Sequence, residues 1–204
     1  MKPVVVFDLG KVLVDFDYTI AAKKIAARST RHIENLHDFL GGSPLLVQFE
    51  TGLLTSEQFF SEIQKATGFK DTCDEFASHF ADIFLPIQPM VELHADLRRQ
   101  KIPTFIFSNT NEIAIRHVRR NFPFFGGFDG YILSYEVGAM KPQMKIYEAL
   151  EKMTGRRGAD IFYIDDRREN VEAGAARDWQ IALHESPDKT IAALRQFLSL
   201  RSTI

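Results

Sequence analysis

The sequence predicts an α/β fold in which a parallel sheet core carries helices on both faces and receives an inserted, all-helical cap. Short apolar runs, of the kind that form buried strands, alternate with longer segments of helical periodicity. Between the first run and the second, the segment 17–85 offers helical patterns and no convincing strand. Strands that alternate with helices imply parallel pairing through right-handed crossovers, as in Rossmann-like folds.

Five apolar runs are predicted as strands of this sheet. The first, VVVF at residues 4–7, is apolar and β-branched, as a strand covered on both faces should be. The other four are residues 104–107, 131–133, 161–164 and 181–183. We therefore assign residues 1–16 and 86–204 to the core and residues 17–85 to the cap.

Helical patterns occupy the intervals between these runs. In the core they are predicted at residues 88–100, 111–120, 142–154 and after Ser186, which is a plausible N-cap. In the cap they are predicted at residues 18–29, 31–40, 56–67 and 74–84. Thr55 and Gln58 have the spacing of a capping box, which predicts the start of the third cap helix.

Composition narrows the class of protein. The 204 residues are 45% hydrophobic and carry a formal net charge of -2, which favours neither nucleic acid nor an anionic membrane as a partner. The single cysteine rules out an internal disulfide framework and fits a reducing compartment. No apolar run approaches the roughly 18 residues that span a bilayer. We expect a soluble, cytoplasmic protein that acts on a small molecule.

Polar residues follow the predicted strands at the points where the strands end. Asp8 follows the first, Ser108 and Asn109 follow the second, and the pair Asp165 and Asp166 follows the fourth. The segment after the third strand contains a lysine, Lys141. Ligands of open parallel sheets bind outside the carboxyl ends of the strands, so these side chains are expected to share one crevice.

The combined chemistry of these residues indicates phosphoryl transfer. Three neighbouring carboxylates repel one another, and a hard cation such as Mg²⁺ compensates for them while keeping positions open for phosphate oxygens. Ser108 and the amides that open the next helix can hold an anion. Lys141 can neutralise negative charge as it develops, and Asp8 can then attack phosphorus to form an aspartyl-phosphate.

These residues resemble the four motifs of the haloacid dehalogenase-like superfamily, which appear in order as FDLGKV, FSNT, GAMKPQMKIY and YIDDRREN. The resemblance covers almost the whole chain, including a helical cap placed after the first strand. Within the superfamily, the sequence most resembles the bacterial α-D-glucose-1-phosphate phosphatases. The resemblance implies a Mg²⁺-dependent phosphatase of a small phosphorylated metabolite, such as a hexose 1-phosphate.

The resemblance also assigns individual roles. It implies that Asp8 is the nucleophile and a Mg²⁺ ligand, and that Gly10 offers its backbone carbonyl to the metal. It implies that Asp166 is the direct metal ligand of the acidic pair and that Asp165 acts directly or through water. The transferring phosphate would be bound by the remaining three residues, Ser108, Asn109 and Lys141. Asn170 would orient the acidic loop or contact the substrate.

Gly10 departs from the pattern of the family, in which most phosphatases have an aspartate that acts as acid and base. Three explanations stay open. The substrate can have a good leaving group, as an anomeric phosphate does. Another acid can substitute, with Asp15, Asp17 and Glu50 as candidates. Finally, the reaction can differ: phosphonate cleavage would need a cap lysine, and a non-catalytic protein would bind phosphate without turnover. The acidic pair argues against dehalogenation.

Overall fold

A computed structural model describes residues 2–201, and these residues adopt the predicted α/β fold. Seven strands occur among them, in chain order β1 (Val4–Phe7), β2 (Val14–Phe16), β3 (Phe84–Pro86), β4 (Thr104–Ser108), β5 (Gly130–Leu133), β6 (Ile161–Asp165) and β7 (Gln180–Leu183). The main sheet has the order β5-β4-β1-β6-β7, and every neighbouring pair in it is parallel. All five predicted strands are therefore confirmed.

Eleven α-helices occur in the same described part of the chain. They are α1 (Tyr18–Ala26), α2 (Leu36–Gly41), α3 (Pro44–Glu50), α4 (Ser56–Thr67), α5 (Cys73–Ala81), α6 (Gln88–Arg99), α7 (Glu112–Asn121), α8 (Ser134–Val137), α9 (Met144–Thr154), α10 (Arg168–Ala175) and α11 (Pro187–Arg201). Short 3-10 helices cover Pro123–Gly127 and Gly158–Asp160.

The central strand shows how helices cover both faces of the sheet. Because successive side chains of a strand point to opposite faces, Val5 and Phe7 share one face of β1 and Val4 and Val6 share the other. Val5 and Phe7 pack in a buried cluster with residues of α6, α7 and α11, whereas Val4 and Val6 pack with residues of α9 and α10. β1 is thus buried on both sides, and its carboxyl end opens into the edge where Asp8 lies.

The cap segment folds around its own aromatic core. Phe49 and Phe59 are stacked with their ring centroids 4.4 Å apart, and both are at most 1% exposed. Phe76 and Phe80 extend the cluster from α5. Ile113 of α7 belongs to the same cluster, so the cap packs directly on a core helix. The capping box of Thr55 and Gln58 is present at the start of α4, as predicted.

Three expectations for the cap are wrong in detail. Helix 31–40 begins only at Leu36, since Asn35 has a left-handed backbone (φ 54°) that cannot continue a helix. Helix α3 was missed because its few residues, bounded by Ser43 and Gly52, give too short a pattern. The helix predicted at 74–84 ends at Ala81, and Phe84 belongs instead to β3, which pairs with β2 as an antiparallel ribbon at the two ends of the cap segment. The division into 1–16 with 86–204 and 17–85 stays a prediction, whose two boundaries fall at this ribbon.

The described residues contain no helix that is both long and apolar enough to cross a membrane.

Candidate active site

A buried lysine joins the ends of three strands. The ammonium of Lys141 lies 3.1 Å from Asp8 Oδ1 and 2.6 Å from Asp165 Oδ2, and it donates to the Phe107 carbonyl at 2.8 Å. The residue is only 5% exposed. Burial alone would lower the pKa of Lys141, but the two carboxylates outweigh burial and raise it. Lys141 is therefore a fixed positive charge whose three donors are all directed.

Asp165 is the residue around which the site is organised. Its Oδ2 accepts from Lys141 and from the Tyr163 hydroxyl at 2.5 Å, and its Oδ1 accepts from the Arg167 amide and from Asn170 Nδ2, both at 2.9 Å. Burial by itself would raise the pKa of Asp165, but Lys141 and the other donors outweigh burial, so the pKa lies below its usual value. With four donors directed at its two oxygens, this carboxylate is held in place and positions the others. Asn170 therefore contacts the acidic pair, and its role in orienting this loop stays a prediction.

Three carboxylates meet at this edge of the sheet. One oxygen each from Asp8, Asp165 and Asp166 lies within 4.8 Å of the others. Burial raises the pKa of Asp8 to about 7 despite the opposing effect of Lys141, and burial with the nearby Asp165 charge raises the pKa of Asp166. Lys141 balances only one of the three negative charges. A divalent cation would compensate for the remaining negative charge. Hard oxygen donors in such a cluster suit Mg²⁺.

The residues after β4 support the lysine loop. Asn109 Nδ2 donates to the Lys141 carbonyl at 3.0 Å, and the Lys141 amide donates to Asn109 Oδ1 at 2.7 Å. Ser108 is buried, and its hydroxyl donates weakly to the Asn109 carbonyl at 3.3 Å. Ser134, at the end of β5, exchanges two hydrogen bonds with the Thr110 backbone. Asn109 thus holds Lys141 in place, and the phosphate contacts of Ser108 and Asn109 stay predictions.

A cavity of about 240 Å³ opens above this cluster. Its floor includes five of the residues that the sequence singled out, namely Asp8, Gly10, Asn109, Lys141 and Asp166. Ser108 and Asp165 do not line it. The cap contributes Tyr18, Gly41, Leu46 and Glu50 to the lining of the cavity. Further lining comes from Lys11, Phe16, Met140, Arg167 and Asn170.

Phe16 explains why position 10 is a glycine. A Cβ atom added to Gly10 would lie 2.8 Å from Cε1 of the Phe16 ring, a distance that requires the ring to move. The ring is held in turn by edge-to-face contacts with Tyr18 and Phe84. An acidic side chain at position 10 would therefore have to displace an aromatic ring.

The three acids considered as substitutes occupy different places. Asp15 is 60% exposed at its side chain and forms an ion pair with Lys11. Asp17 caps α1 by accepting from the Thr19 amide at 2.8 Å. Neither lines the cavity, whereas Glu50 does. Among the phenylalanines near the cap, Phe16 lines the cavity, whereas Phe49 and Phe59 are buried in the cap core.

Several residues of the site were not identified from the sequence. Tyr163 precedes Asp165 by two residues in the same strand, so both side chains point to one face; this spacing is a signal that could have identified it. The Tyr147 hydroxyl donates to the Asn170 carbonyl at 2.8 Å and steadies the acidic loop from α9. Arg167 and Tyr18 carry no comparable signal, since only tertiary packing brings them to the cavity.

Comparisons with known proteins agree with this architecture. A model of the haloacid dehalogenase-like hydrolases matches residues 2–177. A sesquiterpene phosphatase of Aspergillus oryzae, astK, is 24% identical over 174 residues, 84% of each chain. A D-ribitol-5-phosphate phosphatase of Bacteroides thetaiotaomicron is 21% identical over 176 residues, 83% of this chain and 85% of its own.

A solved structure shares the fold. A HAD family enzyme from Bacteroides thetaiotaomicron, crystallised with magnesium and inorganic phosphate, superposes with a TM-score of 0.79. It is 23% identical, and the match covers 89% of this chain and 93% of that one.

Proposed function

The chain belongs to the haloacid dehalogenase-like hydrolase family, and we propose that it is a Mg²⁺-dependent phosphatase of a small phosphorylated metabolite, with sugar phosphates such as a hexose 1-phosphate as the first candidates. The observation that carries this proposal is the buried contact of Lys141 with both Asp8 and Asp165 at the mouth of one cavity. The arrangement combines a nucleophile, a fixed cation and an acidic cation site.

The proposed chemistry has two steps. Asp8 attacks phosphorus, the bond from phosphorus to the ester oxygen breaks, and an aspartyl-phosphate forms. Water then attacks the same phosphorus, inorganic phosphate leaves, and Asp8 is restored. Lys141, held by Asp165 and the Phe107 carbonyl, is placed to stabilise charge on the transferring group.

Asp8, Asp166 and the Gly10 carbonyl are the groups that we propose hold Mg²⁺, with Asp165 contributing directly or through water. When bound, the cation supplies charge neutralisation for the phosphate oxygens and the crowded carboxylates. The names of the relatives support phosphate esters as substrates, since one is a sesquiterpene phosphatase and another is a D-ribitol-5-phosphate phosphatase.

Phosphonate cleavage has less support. It would need a lysine of the cap that lines the cavity and forms a Schiff base with the substrate. The cap contains four lysines that are relevant here, Lys23, Lys24, Lys65 and Lys70, and none of them lines the cavity. Lys24 forms an ion pair with Asp82, and Lys65 forms one with Glu62.

A non-catalytic phosphate-binding protein is the remaining alternative. It would retain phosphate and Mg²⁺ without turnover, yet here Asp8, Lys141 and the acidic pair all lie together at one edge of the sheet. This concentration of reactive groups favours an enzyme.

The test is phosphate release across a panel of sugar, polyol and prenyl phosphates, with Mg²⁺ and with chelator, beside an Asp8→Asn control. We expect Mg²⁺-dependent release that the substitution abolishes. If no phosphate ester is cleaved, the proposal is wrong, and phosphonates are the next class to assay.

A further inference from the structure

We propose that Glu50, reaching over the active site from the cap, protonates the leaving oxygen and then activates the hydrolytic water. This inference rests on the proposed phosphatase function and deepens it. It concerns the acid and base that position 10 does not provide, because a side chain there would meet the ring of Phe16.

The carboxyl groups that line the cavity point to Glu50 by elimination. They are Asp8, Asp166 and Glu50. Asp8 is the proposed nucleophile, and Asp166 belongs to the acidic cluster. Glu50 is the remaining one, and it belongs to a cap helix, whereas Asp8 and Asp166 follow strands of the core. In the proposed reaction, the leaving group of a substrate whose phosphate lies at Asp8 extends toward the cap, where Glu50 meets it.

The position of Glu50 is fixed by contacts on both sides of it. It is the last residue of α3, whose amino end is capped by the Ser43 hydroxyl. Two residues further, Gly52 has a φ of +71°, and a Cβ there would lie 2.2 Å from the Tyr135 carbonyl oxygen. The chain after Glu50 therefore lies in close contact with α8 of the core. A hydrogen bond of 2.6 Å from Ser56 to Glu112 makes a second cap-to-core attachment nearby.

The groups around the Glu50 carboxyl suit a proton-transfer role. The Asn111 side chain and the Arg167 charge both favour the ionised carboxyl, and Tyr18 of α1 lies near enough for its own pKa to be raised by Glu50. Desolvation outweighs Asn111 and Arg167 and raises the pKa of Glu50 to about 7. A carboxyl with such a pKa is present in both protonation states near neutral pH, as a group that must give and then take a proton requires.

With Glu50 in this role, the bonds and the protons balance in each of the two steps. As Asp8 bonds to phosphorus and the ester bond breaks, the Glu50 proton passes to the leaving oxygen, which yields the alcohol, the aspartyl-phosphate and a Glu50 carboxylate. In the second step, Glu50 takes a proton from water as the water oxygen bonds to phosphorus and the bond to Asp8 breaks. Inorganic phosphate leaves with Asp8 ionised and Glu50 protonated again.

The experiment compares Glu50→Gln with wild type on two esters in the presence of Mg²⁺: a primary sugar phosphate, and 4-nitrophenyl phosphate, whose leaving group needs no proton. We expect kcat/KM to fall by about 10²–10⁴ for the sugar phosphate and by less than about tenfold for the aryl ester. With the aryl ester, the variant should release a burst of nitrophenolate equal to the enzyme concentration, followed by slow turnover, because the aspartyl-phosphate accumulates. Glu62→Gln, an exposed glutamate of the same cap, is the matched control and should behave as wild type.

The outcomes separate this inference from the proposal on which it rests. If wild type cleaves both esters and Glu50→Gln is unchanged, the role of Glu50 is refuted while the phosphatase stands. Equal losses for both esters without a burst, together with a lower melting temperature, would assign Glu50 a structural role and also refute the inference. If wild type cleaves no ester, the phosphatase itself is refuted, and the inference with it.

Discussion

Asp165 and Asp166 are neighbours in sequence, yet the structure predicts opposite consequences when each loses its charge. In Asp165→Asn, the new amide has one acceptor and one donor in place of two acceptors. Whichever way it turns, its NH₂ group faces two donors, either Lys141 and Tyr163 or Arg167 and Asn170. The buried Lys141 also loses one of its two carboxylates. Breaking a buried pair in this way costs about 3–5 kcal/mol.

Asp166→Asn should have little effect on the stability of the metal-free protein. Its side chain is half-buried, and burial together with the charge of Asp165 raises the pKa of Asp166, so neutralising this residue removes a desolvation cost and relieves repulsion. We expect a change in the free energy of unfolding within about 0.5 kcal/mol, or a slight gain. Addition of Mg²⁺, however, should stabilise wild type and fail to stabilise this variant, since a ligand stabilises only the state that binds it.

Urea unfolding in the presence of chelator measures the stabilities of the two metal-free variants, and a second series with Mg²⁺ measures stabilisation by the cation. The single tryptophan, Trp179, is buried and packs with Tyr147 and Tyr163 behind Asp165, so its fluorescence reports this region directly. Equal stabilities for the two variants, or a greater loss in Asp166→Asn, would refute the view that Asp165 organises the site while Asp166 serves the cation.

Three further predictions concern the cap and its junction with the core. Burial raises the pKa of Glu50 from 4.5 in the unfolded chain to about 7 in the folded protein. The protonated carboxyl therefore contributes its full stability below pH 4.5, and this stability is lost as the pH rises through 7. The free energy of unfolding of Glu50→Gln should therefore rise relative to that of wild type as the pH increases from 4.5 to 7, by up to about 3 kcal/mol. Urea unfolding at several pH values measures this difference, and a difference that does not change with pH would contradict the prediction. Gly10→Ala should lower the free energy of unfolding by about 1–3 kcal/mol because the new methyl group overpacks against Phe16. The double variant with Phe16→Leu should recover part of this loss. A single variant as stable as wild type would show that the Phe16 ring moves without cost. Phe59→Ala should cost about 3–5 kcal/mol in thermal or urea unfolding because the ring is fully buried and stacked on Phe49. A loss below about 1 kcal/mol would mean that the cap repacks around the cavity.

The sheet and the reactive end of its strands were predictable because both follow from local patterns. Apolar runs bounded by polar residues mark buried parallel strands, and parallel strands place their carboxyl ends at one edge. Asp8, Lys141 and Asp165 could therefore be expected together, although they are far apart in the sequence. Their neighbourhood is a consequence of topology, which the alternation of strands and helices already indicates.

The cap was less predictable for a physical reason. Its short helices are held by tertiary contacts among aromatic rings, and the positive φ of Asn35 interrupts a pattern that periodicity alone extends. The ribbon of β2 and β3 joins residues that are distant in sequence, and neither strand is long enough to give a signal by itself. Glu50 could be named as one of several acids, but only its place on the cavity wall distinguishes it from Asp15 and Asp17.

The central claim is that Asp8 carries the phosphoryl group between substrate and water. The most direct measurement is acid quenching during turnover of a cleaved phosphate ester with Mg²⁺, followed by peptide mapping with mass spectrometry. We predict a phosphoryl group on Asp8 that is absent before substrate is added and absent from Asp8→Asn, which also releases no phosphate. Turnover by Asp8→Asn, or sustained turnover by wild type with the phosphoryl group on another residue, would contradict the account.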